Sequence, residues 1–371
     1  MNDLAVSFRP DWVSPPGDTI LDLLEEKDWT QDELATRLGV SAKHVNQLIK
    51  GKASLSQEVA LKLERVLGGT SAFWISREAL YREQLARAQA KEKLAEWTTW
   101  LDCLPIKDLM ASGALEKCRV VQKNKPGLVE QCLKFFGVAS PDEWESHYSG
   151  MQVSFRRSRE DQSDVAAISS WLRMGEIEAE QFSGPKYNKE KFERALTEIR
   201  GLTTASPADF EPRIRRLFAE AGVAFVLVPA IPRAHVSGVA RWLNAHRPLI
   251  QMSLYGKTND KFWFTLFHES AHILLHADEK KSVYLDDPSK QGSRDPKEIE
   301  ANDWAGNFLV PDQYAAALGS LKTKDAVRDF ARRIDIHPGI VVGRLQHDGL
   351  IDVSWMNDLK ASFRFADADQ S

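Results

Sequence analysis

Fifteen residues, FWFTLFHESAHILLH from Phe262 to His276, constrain this 371-residue chain more than any other stretch. Their apolar positions recur with helical spacing, so the segment reads as a helix with a strongly apolar face. Such a helix is buried, and a buried imidazole is costly unless something partners it. His268 and His272 stand four residues apart, on one face and one turn above each other, so both rings can reach a single ion. Glu269 can lie beside the open position of that ion and exchange a proton with its bound water. Phe264, Leu266, Phe267, Ile273 and Leu274 would keep the site dry. The bland alternative is an amphipathic helix that carries two histidines by chance.

A catalytic zinc needs a third protein ligand and keeps its fourth position for water. His276 lies eight residues beyond His268, roughly 12 Å along the helix axis, too far to close the same sphere, and reads as a core histidine or a support for the ligands. Asp295-Pro296-Lys297-Glu298 has the form of a helix start, with Asp295 as N-cap, Pro296 in the first position and Glu298 completing a capping box. That assigns Glu298 a structural task and leaves Glu300 to face the metal. The two differ by two positions and cannot share a helix face, and the sequence reading selects Glu300.

Near the other end, Gln31 to Leu48 fits two short helices around a tight turn. Leu34 and Leu38 share a face, Ala35 admits a close neighbour, Gly39 supplies the left-handed turn, and Ser41 is a natural N-cap before Val45 and Leu48. The outward face of the second helix offers Ala42, Lys43, Asn46 and Gln47, with Lys50 at its end. Asn and Gln can pair with adenine edges, and Lys can reach guanine or phosphate. Gln31 opens the first helix, where a phosphate could be held. Residues 1–80 carry nine Lys/Arg against twelve Asp/Glu, yet Arg37, Lys43, Lys50 and Lys52 fall in a window without an acidic residue. An ordinary helical hairpin is the competing reading.

A net charge of −4 gives no global attraction to nucleic acid, so any DNA surface is local. Cys103, Cys118 and Cys132 are widely spaced, which fits a reducing cytosol better than a disulfide framework or a thiolate cage. The opening MNDLAVSFRPDW lacks the pattern of a signal peptide, and no apolar run reaches the roughly 20 residues of a membrane helix. The expectation is a cytoplasmic protein without a membrane partner. Residues 82–97 read as a long exposed helix, and 97–206 as mostly helical. Strand-like runs follow at Val223–Val228, Ser237–Leu243 and Pro248–Leu254, with Phe363 to Ser371 as a loose tail. The expected fold is multidomain and mostly α with an α+β C-terminal part. The divisions are 1–80 (helix-turn-helix), 81–205 (helical middle region), 206–350 (metallopeptidase-like, with a small sheet) and 351–371 (tail).

The segment from Pro16 to Trp74 resembles the lambda-repressor-like class, specifically the HigA antitoxin type, including its I-x-G-K exit and G-T-S-x-F-W ending. Arg77-Glu78 stands where relatives often have Leu-Gln. The resemblance implies a lambda-repressor-like helical domain and a homodimer on double-stranded DNA, at an inverted repeat. HESAHILLH followed by EIEANDWAGNFLVP resembles the ImmA/IrrE metallopeptidases, together with VSGVARWL, PLIQMSL and FARRIDIHPGIVVGRLQHDGLI, over about residues 206–350. That family pattern implies a zincin-like fold and places the third ligand at the Glu before Ala-Asn, Glu300. FRRS and WLRMGEIEAE look like the connecting region of such fused regulators. Two functions follow. One is a regulator whose zinc endopeptidase, with Glu269 as its acid–base, cuts a repressor or other protein partner. The other is an antitoxin-like autorepressor that binds DNA and a toxin, its zinc structural or sensory. A neighbouring toxin gene would favour the second.

Overall fold

The computed structural model describes residues 14–148, 165–276, 284–286 and 295–365. The opening dozen residues, FRRS and the last six residues lie outside this set. The chain divides into two compact units, one reaching to Thr98 and the other holding nearly all that follows.

The first unit is helical: α1 Pro16–Lys27, α2 Gln31–Leu38, α3 Ala42–Ile49, α4 Gln57–Val66 and α5 Ser71–Glu96. Thr30, Ser41, Ser56 and Thr70 each cap a helix through a side-chain oxygen that accepts a backbone N–H, which explains the short, sharply punctuated elements. Leu34, Leu38, Val45, Leu48, Leu63 and Trp74 meet in the core. Gly17 lets α1 press onto the end of α3, for a Cβ there would stand 1.9 Å from the Ile49 carbonyl oxygen. Gly39 adopts φ +67°, the left-handed turn that its position requires. Arg77 ties α5 to the start of α1, donating to Ser14 Oγ at 3.2 Å and Thr19 Oγ1 at 3.3 Å. The departure at this position is therefore a local clasp.

The second unit contains α6 Ile106–Ala111, most of α7 Lys125–Phe136, a helix α8 over residues 141–148, α9 Val165–Glu180, α10 Lys189–Gly201 and α11 Pro207–Glu220. A sheet follows, with strands β1 Ala224–Leu227, β2 Gly238–Asn244, β3 Arg247–Met252 and β4 Tyr284–Asp286 in the order β1-β3-β2-β4. β1 runs parallel to β3, and β2 is antiparallel to both its neighbours. Then come α12 Asn259–Leu275, α13 Pro296–Leu309, α14 Ala315–Leu318, α15 Lys324–Arg333 and α16 Pro338–His347. The three sequence-read strands and α12 lie where the patterning puts them; β4 was not foreseen.

One apolar core runs from Phe192 to Leu359. The boundary expected at residue 206 falls inside it, because α10 contributes Phe192, Leu196 and Ile199 to the same interior as α11 and α12. α9 belongs there too, as Trp171 Nε1 donates to the Val228 carbonyl at 3.1 Å. The C-terminal boundary moves as well. Phe363, expected in a loose tail, packs its ring against Phe210 and Phe262, and its N–H donates to Lys257 at 2.7 Å. Asn259 and Asp260, in the first turn of α12, bind Ala361 and Lys360 respectively. The residues after 350 thus clamp the helix that carries the histidines.

Candidate metal centre and recognition helix

α12 is buried along nearly its whole length, and His268, Glu269 and His272 are each no more than 1% exposed. The helix lies across β2 and β3 and packs along α13. Nε2 of His268 and Nε2 of His272 are 3.1 Å apart. The Glu298 carboxylate completes a triangle, with Oε2 at 3.4 Å from His268 Nε2 and Oε1 at 3.5 Å from His272 Nε2.

These residues are the one His/Cys/Asp/Glu group among the described residues arranged to hold an ion. Donors about 2.0–2.2 Å from a tetrahedral zinc lie about 3.4 Å from one another, so the triangle has the dimensions such an ion needs. The chemistry of the donor set agrees. Burial, aided by His268, His276 and Lys297, drives the His272 pKa down to about 2, which keeps the ring neutral and its lone pair available.

Glu300, the sequence-read ligand, is elsewhere. Its side chain is 60% exposed, and its Oε2 sits 3.1 Å from Nε2 of His276. The correction has a physical reason. Asp295 caps α13, accepting from the Lys297 N–H at 3.0 Å, while the buried face of the helix runs through Ala301, Ala305 and Leu309. Glu298 extends that stripe by one turn toward α12, whereas Glu300 falls to its side. The stripe of small and apolar residues Ala301, Ala305 and Leu309 is the sequence signal that points to Glu298, and the capping pattern masks it. The Glu before Ala-Asn, where the resemblance implies the third ligand, thus lies outside the donor group of this structure.

Glu269 is fully buried and faces the sheet. At Gly238, the first residue of β2, a Cβ would stand 2.8 Å from Glu269 Oε1 and 2.7 Å from Thr265 Cγ2. The absence of a side chain there makes the space the carboxylate occupies. Phe264 stacks on His268 with ring centroids 6.1 Å apart.

In the first unit, α3 carries Ala42 and Lys43 exposed, Asn46 and Gln47 partly exposed, and Lys50 exposed at its end. Asn46 Nδ2 donates to Gln31 Oε1 at 3.2 Å, so these two expected contact residues are joined and the start of α2 is tied to the second turn of α3. The Ser41 hydroxyl accepts from the His44 N–H and is occupied as the N-cap. Arg37, counted in the acid-free window, is drawn back: it pairs with Glu33 at 2.7 Å and lies 4.0 Å from the Trp29 ring centroid. The helix brings together charges that the linear window separates.

Residues 20–75 match the helix-turn-helix family model, and residues 234–346 match that of the IrrE N-terminal-like domain, an M78 peptidase model. The chain joins these two modules. A stretch of 61 residues is 33% identical to the uncharacterized HTH-type transcriptional regulator YddM of Escherichia coli K12. It spans 16% of this chain and 65% of that protein, just under two thirds of the relative's length. Among solved structures, a candidate antidote protein of a plasmid maintenance system from Nostoc punctiforme is 29% identical over 22% of this chain and 91% of its own. Its TM-score is 0.21. Among the described residues, no helix is long and apolar enough to cross a membrane.

Proposed function

We propose that this chain is a cytoplasmic, DNA-binding transcriptional regulator whose IrrE-like domain is a zinc-dependent endopeptidase acting on a protein partner. The observation that carries the reading is the donor triangle of His268, His272 and Glu298, with buried Glu269 on the same helix. His268, His272 and Glu298 would hold the zinc. When bound there, zinc supplies a Lewis acid and makes water acidic enough to act as a nucleophile near neutral pH.

The remaining work falls to the protein. His268 and His272 give neutral nitrogens held rigidly by one helix, and Glu298 adds a negative charge from α13. Glu269 takes the proton from the attacking water on a carboxylate oxygen and returns it to the leaving amine. The buried aromatic and aliphatic side chains of α12 exclude bulk water, so that charge developing at the scissile carbonyl is met by fixed groups. In the first unit, α3 lies in the major groove of an operator, with Gln47 at base edges and Lys43 at a phosphate, and a homodimer occupies an inverted repeat. Tethering the peptidase to a DNA-bound module raises its concentration near partners on the same promoter.

The test pairs metal analysis with Glu269→Gln. Purified wild-type protein is expected to hold about one zinc per chain, and the variant to keep the zinc and lose cleavage of a partner captured from its own cytoplasm. Zinc-free protein, or cleavage that survives the substitution, would overturn the reading.

A further inference from the structure

His276 and Glu300 stand outside the donor triangle and yet are joined to it. His276 follows the last turn of α12 and is 8% exposed. Its Nδ1 lies 3.0 Å from Nδ1 of His272, and its Nε2 lies 3.1 Å from Oε2 of Glu300. His272 therefore presents Nε2 to the triangle and Nδ1 to a second imidazole, whose far side is held by a carboxylate.

We propose that Glu300 and His276 form a positioning relay that fixes the tautomer and ring angle of His272, so that its Nε2 lone pair faces the metal. The proposal rests on the reading of His268, His272 and Glu298 as the metal site. The proton count supports it. A carboxylate only accepts, so the proton between Glu300 and His276 belongs to Nε2 of His276. A neutral His276 then has a bare Nδ1, which accepts. The proton between the two rings therefore sits on Nδ1 of His272. That leaves Nε2 of His272 unprotonated, where it meets His268 and Glu298. With His276 neutral, this pattern satisfies the three contacts Glu300–His276, His276–His272 and His272–donor triangle, and it is the pattern a ligating histidine requires.

Removing the carboxylate frees His276 to carry its proton on Nδ1 instead. His272 would then accept at Nδ1 and hold its own proton on Nε2, where it blocks the metal. A simple clasp between α12 and α13 would behave differently: its loss would weaken the fold and leave zinc affinity alone.

The experiment uses the full chain, titrated with zinc against a chromophoric chelator, as wild type, Glu300→Ala and His276→Gln. Imidazole ¹⁵N spectra and melting curves of the metal-free proteins accompany the titration. The relay predicts about 10–100-fold weaker zinc binding in both variants. It also predicts a wild-type His272 protonated at Nδ1 that shifts toward the Nε2 form in Glu300→Ala, with little change in metal-free melting temperature. Wild-type affinity in both variants, or a matching drop in metal-free stability without the tautomer shift, overturns the relay while leaving the metal site in place. Failure of the wild type to take up zinc overturns the metal reading itself, and the relay with it.

Discussion

Gly238 and Glu269 belong to different elements, and the empty space at one is filled by the carboxylate of the other. A methyl group at residue 238 would stand 2.8 Å from Glu269 Oε1 and 2.9 Å from its Cγ, so Gly238→Ala must displace the acid. The donor triangle does not include residue 238, and its geometry is set by α12 and α13. Gly238→Ala is therefore expected to keep zinc stoichiometry and lose about 100-fold in peptide cleavage, the cost of roughly 1 Å of misplacement. Metal analysis and single-turnover cleavage separate the two effects; loss of zinc together with activity would show that the glycine supports the fold instead. Glu298→Gln is the complementary substitution. It removes the negative donor from the triangle and is expected to weaken zinc more than Glu300→Ala does, by chelator competition. Equal losses would remove the distinction between ligand and support.

At the scale of elements, the legibility of the sequence depended on how many forces agreed. α12 was plain because apolar periodicity, the paired histidines and the adjacent acid all required the same helix. α2 and α3 were plain because Gly39 and Ser41 each have a conformational task that the structure shows them performing, while the Thr30 cap emerges only in the structure. α13 was half legible. Its start followed from Asp295 and Pro296, but which acid faced α12 depended on the direction of packing, a tertiary fact carried by Ala301, Ala305 and Leu309. β4 was illegible, since three residues hold no periodicity and its strand character comes from pairing with β2. The same helix-scale logic bears on α3. Lys43 is exposed and Gln47 partly so, on a helix anchored by Val45, Leu48 and Ile49. Gln47→Ala is expected to cost about 1–3 kcal/mol at the preferred operator and relax its sequence preference, whereas Lys43→Ala weakens binding to all sequences and lowers the salt slope by about 1. Binding titrations across operator variants and salt concentrations would read both. Unchanged affinity and preference would reassign α3 to a protein contact.

For the molecule as a whole, the main lesson lies in the second unit, where most of the middle region beyond Thr98 shares one compact unit with the sheet. The sequence boundary at 206 followed a change of texture from helix to strand, and texture does not report which segments share a core. Beside the apolar packing of α10, a polar interaction joins α9 to the sheet. Arg241 on β2 is 5% exposed; its Nη1 meets Glu176 Oε1 of α9 at 2.5 Å, and its Nη2 donates to the Leu172 carbonyl at 2.7 Å. Gln251 on β3 adds a bond from Nε2 to the Trp171 carbonyl at 2.6 Å. Burial lowers the Arg241 pKa, and Glu176 opposes that effect, so the guanidinium depends on its partner. Glu176→Ala would leave a buried cation without its counter-charge, at a cost of about 3–5 kcal/mol. Its melting temperature is expected to fall by on the order of 10 °C. The double variant Glu176→Gln with Arg241→Met removes both charges and is expected to recover most of that loss, because a buried pair contributes little net stability beyond an apolar replacement. A fall of less than about 1 kcal/mol in the single variant, measured by denaturant unfolding of the metal-loaded chain, would mean that water reaches the guanidinium and that α9 is held to the sheet mainly by the apolar packing of Trp171 and Leu172.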